Sequence, residues 1–266
     1  MLLKRIVTSV VLLIVLAAVL LADGVFPAGA IATAIIAALG LREFYGMVSK
    51  CGRGQPLLWL GTVLTVLFVL EPLLDWTDGG ILLSAVIVLP LIWIILLRRS
   101  RKDAFSSWAF TIAGVLYLGW LLSRYVALIG MEYGKEWVIL ALMITFTTDV
   151  CAFFSGRLLG RHKLAPSISP AKTWEGAVGG LMFATGMGVL LAWLLGLPLS
   201  VWQAALLAAL TSVFAQTGDL VESLFKRNMG AKDSGRSLPG HGGILDRLDS
   251  VVFAGLVVYY YVIWMT

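Results

Sequence analysis

Apolar runs long enough to cross a bilayer recur along this chain at 6–22, 25–41, 57–74, 79–97, 104–123, 137–155, 176–196, 202–222 and 246–264. About 20 predominantly apolar residues wound as α-helix span the hydrocarbon core. Inside that core each backbone N–H and C=O must find its partner within the protein, which favours helix. The pattern therefore predicts an all-α integral membrane protein with about nine transmembrane helices. Only Asp23 and Gly24 separate the first two runs, so they read as a tightly turned antiparallel pair. Residues 1–5 and the run 6–22 have the outline of a secretory signal peptide, but the run is long and no small-x-small cleavage site follows it. It reads as a retained first span. No internal repeat relates the two halves, as an inverted-repeat transporter would require.

Composition supports this reading. Of 266 residues, 60% are hydrophobic and 13% charged, and mean hydropathy is +0.95. A water-soluble domain would not carry so little charge. One polytopic domain over 1–266 is expected, with N-terminal spans in 1–130 and catalytic C-terminal spans in 131–266. Cys51 and Cys151 are isolated thiols, which excludes a disulfide framework or a Cys-based metal site. No segment resembles a nucleic-acid-binding module.

Charge sets the orientation. With a cytoplasmic N-terminus, all of the 20 lysines and arginines except Arg124 and Lys135 fall on the cytoplasmic side. The expected topology is N-terminus cytoplasmic and C-terminus outside. The short outer loops carry Glu71, Asp75, Asp78, Glu132 and Glu136, which read as a solvated face. The two long loops, 156–175 and 223–245, both face the cytoplasm.

Those loops and the adjoining helix ends hold the candidate chemistry. Asp149 lies in the sixth run, Asp219 and Glu222 in the eighth, and Asp246 and Asp249 at the start of the ninth. Each of the last two pairs shares a helix face through its spacing. Clustered carboxylates repel unless a cation compensates, and Mg²⁺ takes one or two carboxylates while bridging phosphate oxygens. As ordinary helix-end acids, Asp246 and Asp249 would instead complement a helix N-terminus. Lys226, Arg227, Lys232 and Arg236 crowd one loop with Gly230, Gly235, Gly240, Gly242 and Gly243, whose backbones can approach a ligand. The positive-inside rule explains the basic charge, but not the interleaved acids nor His241 set between glycines. In the other loop Ser169-Pro170 reads as the start of a turn. Lys172 is a candidate phosphate holder there, Trp174 a stacking or interfacial aromatic, and His162 a solvated or lipid-facing side chain. A cation-coupled transporter with Asp149 and Asp219 as relays is the rival from another class.

The 223–249 stretch also resembles a known signature. It reads S-x-apolar-K-R, four residues, K-D-x-small, two residues, apolar-P-x-H-G-G-apolar-x-D-R-apolar-D, which is similar to that of the phosphatidate cytidylyltransferases (CDP-diacylglycerol synthases). Ser223, Lys226, Arg227, Lys232, Asp233, Gly235, Pro239, His241, Gly242, Gly243, Asp246, Arg247 and Asp249 fill every fixed position. The stretch 169–176, S-P-A-K-T-W-E-G, and Asp149 with the turn 156–160 look like further family segments. The resemblance covers the C-terminal half, and the first 130 residues match only in being apolar spans. It implies CMP transfer from CTP to phosphatidic acid, with Mg²⁺, in a bacterial inner membrane or an organelle membrane, by a homodimer. A second metal or monovalent cation stays open. The implied catalytic residues are Asp219, Asp246, Lys226, Arg227 and Lys232. The implied substrate-binding residues are Ser223, Arg236, His241, Gly242, Gly243, Arg247, Lys172 and Thr173. The metal would take Asp219 and Asp246, with Asp249 and Asp149 as further candidates. A CTP-dependent polyprenol kinase would share this physics and differ only in signature.

Overall fold

The computed structural model describes residues 25–74, 80–97, 103–235, 237 and 242–265. The run 6–22 lies outside them, as do Arg236, Pro239 and His241. Among the described residues seven helices are long and apolar enough to cross a membrane, and an eighth apolar helix, Leu58–Leu73, is shorter. The described residues form two compact units, one from those within 25–130 and 228–247, the other from those within 131–227 and 248–265.

The first unit holds α1 (Val25–Lys50), α2 (Leu58–Leu70), α3 (Gly80–Leu97) and α4 (Ala104–Ile129). Helix α2 is short because prolines bracket it. Pro56 precedes it, and Pro72 lies in the 3-10 turn Glu71–Leu73 that closes it, where a missing N–H ends the α ladder. Helix α4 runs past the expected end at 123, through a π-helical stretch Val115–Trp120. Arg124 is thus helical rather than a loop residue, and its guanidinium lies 3.9 Å from Glu71, which is not simply solvated.

Lipid is as apolar as a leucine side chain, so helices in a bilayer associate by close packing and hydrogen bonds. Tyr45 of α1 illustrates both. Its ring fills the space that a Cβ would need at Gly61 of α2 and Gly114 of α4. Its hydroxyl donates to the Thr111 carbonyl at 2.7 Å. Leu64, Phe68, Leu82, Val86 and Val115 form a buried cluster beside it.

The second unit holds α5 (Gly134–Leu159), β1 (Lys163–Ala165), β2 (Ser169–Thr173), α6 (Trp174–Leu194) and α7 (Val201–Asn228). Most of α8 (Leu245–Met265) belongs to it as well. Buried Gly176, Gly180, Ala184, Gly188 and Ala192 make a stripe of small residues, one every four positions, along α6. Its glycines meet Thr148, Ala152 and Gly156 of α5 and Ala208 of α7, so the backbones approach closely. Thr148 donates its hydroxyl to Ser212 Oγ at 2.9 Å within this packing.

The hairpin β1–β2 departs from the all-α expectation. It is antiparallel, pairing Lys163 with Thr173 and Ala165 with Ser169. Its turn is not at Ser169-Pro170. The Ile168 N–H donates to the Ala165 carbonyl, placing Pro166 at the turn position that its fixed φ suits. Pro170 lies inside β2, which a two-stranded ribbon tolerates because an edge strand can spare an N–H.

Candidate active site

In the second unit, the C-terminal ends of α5 and α7, the hairpin and the start of α6 enclose a cavity of about 440 Å³. Its polar lining residues are Asp149, Arg157, Ser169, Lys172, Thr173, Gln216 and Asp219. The hairpin carries Lys172 to α7, where its ammonium lies 2.6 Å from an Asp219 oxygen. The other Asp219 oxygen accepts a long 3.4 Å hydrogen bond from Ser223. One turn further, fully buried Glu222 pairs with Lys226 at 2.7 Å. Asp249 lies within electrostatic reach of Asp219 and Lys226. Three acids and two lysines thus share one end of this unit.

The hairpin is itself anchored. Thr173 caps α6, its hydroxyl oxygen accepting the Gly176 N–H at 3.1 Å. Glu175 accepts the N–H groups of Arg161 and His162 and lies 2.6 Å from His162 Nδ1. The Trp174 N–H donates to the His162 carbonyl at 2.9 Å. Arg227 donates from Nε to the Ile168 carbonyl in the hairpin turn at 3.2 Å. These bonds set the position of Lys172 in the cavity wall.

The signature loop belongs to the first unit. Its described residues fold around Asp246, whose carboxylate accepts the Ser234 N–H at 3.1 Å and the Gly243 N–H at 2.8 Å. Gly242 has φ +83°, and a Cβ there would lie 2.8 Å from Asp246 Oδ2, so two constraints require glycine. Glu43 of α1 accepts the Leu245 N–H at 3.0 Å and the Ser234 hydroxyl at 3.2 Å. Lys232 and Arg247 are exposed.

Among the described residues no three His, Cys, Asp or Glu side chains converge as a metal cage. Mg²⁺ needs no such cage, because one or two carboxylates suffice when waters and phosphate oxygens complete the shell. The acids at the end of α7 are hard oxygen donors of that kind. Lys172 and Lys226 now offset part of their charge, so a cation there would take carboxylate oxygens that these ammonium groups release to phosphate.

The structure therefore brings Asp219, Ser223, Lys226, Asp249 and Lys172 into one neighbourhood, with Asp149 and Thr173 in the cavity wall. It places Asp246, Gly242 and Gly243 in one hydrogen-bonded turn, and Arg227 on the hairpin. Arg236 and His241 lie outside the described residues. Four residues near these groups escaped the sequence reading as site members: Glu43, Arg157, Glu175 and Gln216. Glu222 was legible as a helix-end acid, but not as the buried partner of Lys226. Glu175 follows Lys172-Thr173-Trp174 directly, so that segment already contained the signal. Glu43 follows Arg42 just past an apolar run, far in sequence from the other acids, and offered none.

A helical membrane body with a lysine- and carboxylate-lined cavity in one unit and a Gly-rich basic loop in the other has the features of a membrane-embedded enzyme for phosphorylated substrates. This chain belongs to the cytidylyltransferase family, whose profile matches residues 3–265. It is 34% identical over 260 residues to the phosphatidate cytidylyltransferase of Staphylococcus epidermidis, covering 94% of each chain. It is also 34% identical over 226 residues to that of Staphylococcus haemolyticus, covering 82% of this chain and 84% of the relative. The enzyme of the same name from Brucella suis is 46% identical over 148 residues, 55% of this chain and 54% of its own.

Proposed function

We infer that this chain transfers CMP from CTP to phosphatidic acid, giving CDP-diacylglycerol and pyrophosphate. The observation that carries the reading is the family match over nearly the whole chain, with every fixed signature position filled. The physical setting agrees. One substrate is a lipid with its phosphate at headgroup level, and the other is a soluble polyanion. They can meet only at helix ends, where the cavity holding Lys172 and Asp219 lies.

In the proposed reaction a phosphatidate oxygen attacks the α-phosphorus of CTP in line. The P–O bond to the β-phosphate breaks, and pyrophosphate leaves with its electron pair. The phosphatidate oxygen is already ionised near neutral pH, so no strong general base is needed. Transfers of this kind rest on positioning and charge neutralisation. Lys172 and Lys226, held by Asp219 and Glu222, are proposed to take phosphate oxygens, with Arg157 a further cation in the cavity wall. Lys232, Arg236 and Arg247 supply further charge from the signature loop, and Arg227 holds the hairpin turn.

Mg²⁺ is the proposed cofactor, with Asp219 and Asp246 as ligands and Asp249 and Asp149 in support. It would neutralise charge on α-phosphoryl and leaving-group oxygens. The assignment rests on the sequence pattern for Asp246 and on the carboxylate cluster for Asp219 and Asp249. We further propose nine spans with a cytoplasmic N-terminus and an external C-terminus. In this reading the site faces the cytoplasm of a bacterial inner membrane, and the protein is a homodimer.

The deciding experiment uses purified protein in vesicles, CTP labelled at the α-phosphate, and phosphatidic acid. Label should enter the lipid fraction only with Mg²⁺, and not at all with Asp219→Ala. Folded wild-type protein that leaves the lipid unlabelled with both substrates present would sink the reading. CTP labelled at the γ-phosphate would then test lipid phosphorylation.

A further inference from the structure

We propose that Glu43, in the N-terminal helix α1, is a positioning residue that holds the signature loop in its working shape. The inference rests on the reading that this loop serves CMP transfer.

Four contacts carry it. One carboxylate oxygen of Glu43, Oε2, accepts both the Leu245 N–H at 3.0 Å and the Ser234 hydroxyl at 3.2 Å. Leu245 is the first residue of α8, so Glu43 serves one of the N–H groups that a helix start leaves unpaired. The negative charge also suits the positive end of the α8 dipole. Ser234 at the same time gives its backbone N–H to Asp246. Glu43 and Asp246 thereby grip the same serine, one through its hydroxyl and the other through its amide.

The two remaining contacts explain signature glycines. A Cβ at Gly235 would run into the Glu43 carboxylate, and so would one at Gly243. At Gly235 the nearest atoms within reach all belong to Glu43. That glycine therefore makes room for a side chain from the other end of the sequence. Glu43 Oε1 is buried and has no hydrogen-bond partner among the described residues. A buried polar atom without a partner is costly, and on this half-buried side chain the other oxygen fixes two points, Ser234 and Leu245.

The test pairs hydrogen exchange with kinetics in the full-length protein. Peptides covering 228–247 should exchange faster in Glu43→Ala than in wild type, without substrate. Its kcat should fall roughly tenfold or more, the scale of losing a charge-assisted hydrogen bond. Glu43→Gln, which keeps an acceptor oxygen, should lie between the two. Gly235→Ala should impair wild type, yet cost little more on top of Glu43→Ala, since the obstructing carboxylate is then gone. Unchanged loop exchange, or additive losses in the double variant, would overturn the proposal. If Glu43→Ala does not fold, Glu43→Gln and Gly235→Ala decide the matter by the same two readouts. If the wild type transfers no CMP, the functional reading fails, while the exchange data still decide whether Glu43 holds the loop.

Discussion

The Lys172–Asp219 ion pair is the smallest unit of this site that makes a prediction. At 2.6 Å, in a cavity wall, it presents a cation that a phosphate oxygen can take over. Replacing Lys172 with alanine should lower kcat/KM roughly tenfold to a hundredfold, on the scale of about 1.5–3 kcal/mol for a hydrogen bond to a charged group. Titrating CTP and phosphatidic acid separately will show which substrate suffers, and unchanged kinetics for both would remove Lys172 from the site. Lys172 and Asp219 were legible singly because charged residues at the edge of apolar runs are few. That they meet was not legible, since the pattern says nothing about which helix ends become neighbours. Asp246 shows the same limit. Its place at the head of the last run was plain, but its grip on the amides of Ser234 and Gly243 depends on how the loop folds back.

Apolar runs marked the helices well because a bilayer accepts little else. Their ends moved where local chemistry intervened. Prolines shortened α2, and the π-helical stretch carried α4 beyond its expected end. The hairpin was missed because three- and five-residue strands in a polar loop leave too short a pattern to read. Packing between α5 and α6 makes its own prediction. A Cβ at Gly180 would lie 2.9 Å from the Thr148 carbonyl, whereas Gly186 has open space. Gly180→Leu should therefore destabilise the protein by about 1–3 kcal/mol, the usual scale of overpacking. In detergent it should lower the unfolding temperature, while Gly186→Leu leaves it nearly unchanged. Equal effects would argue against close helix approach at Gly180.

For the whole molecule, orientation is the testable property. In a variant lacking Cys51 and Cys151, a single cysteine at Ser237 should resist a membrane-impermeant thiol reagent in intact cells and react after permeabilisation. One at Glu132 should react in both. The reverse pattern would invert the proposed topology. The mass of the purified particle will check the homodimer in the same preparations.

Hydrophobic patterning by itself determined that this chain lives in a membrane as a set of helices. Residue order in 223–249 determined its chemistry class, because a bilayer and a polyanionic substrate each impose demands that single residues can display. Only the tertiary structure decided that Lys172 faces Asp219, that Glu222 buries against Lys226, and that Glu43 reaches Ser234 and Leu245 across most of the chain. Helix rotation and neighbour choice come from small-residue packing and hydrogen bonds between distant segments. In lipid, where apolar surface is equally content on any face, local sequence does not encode them.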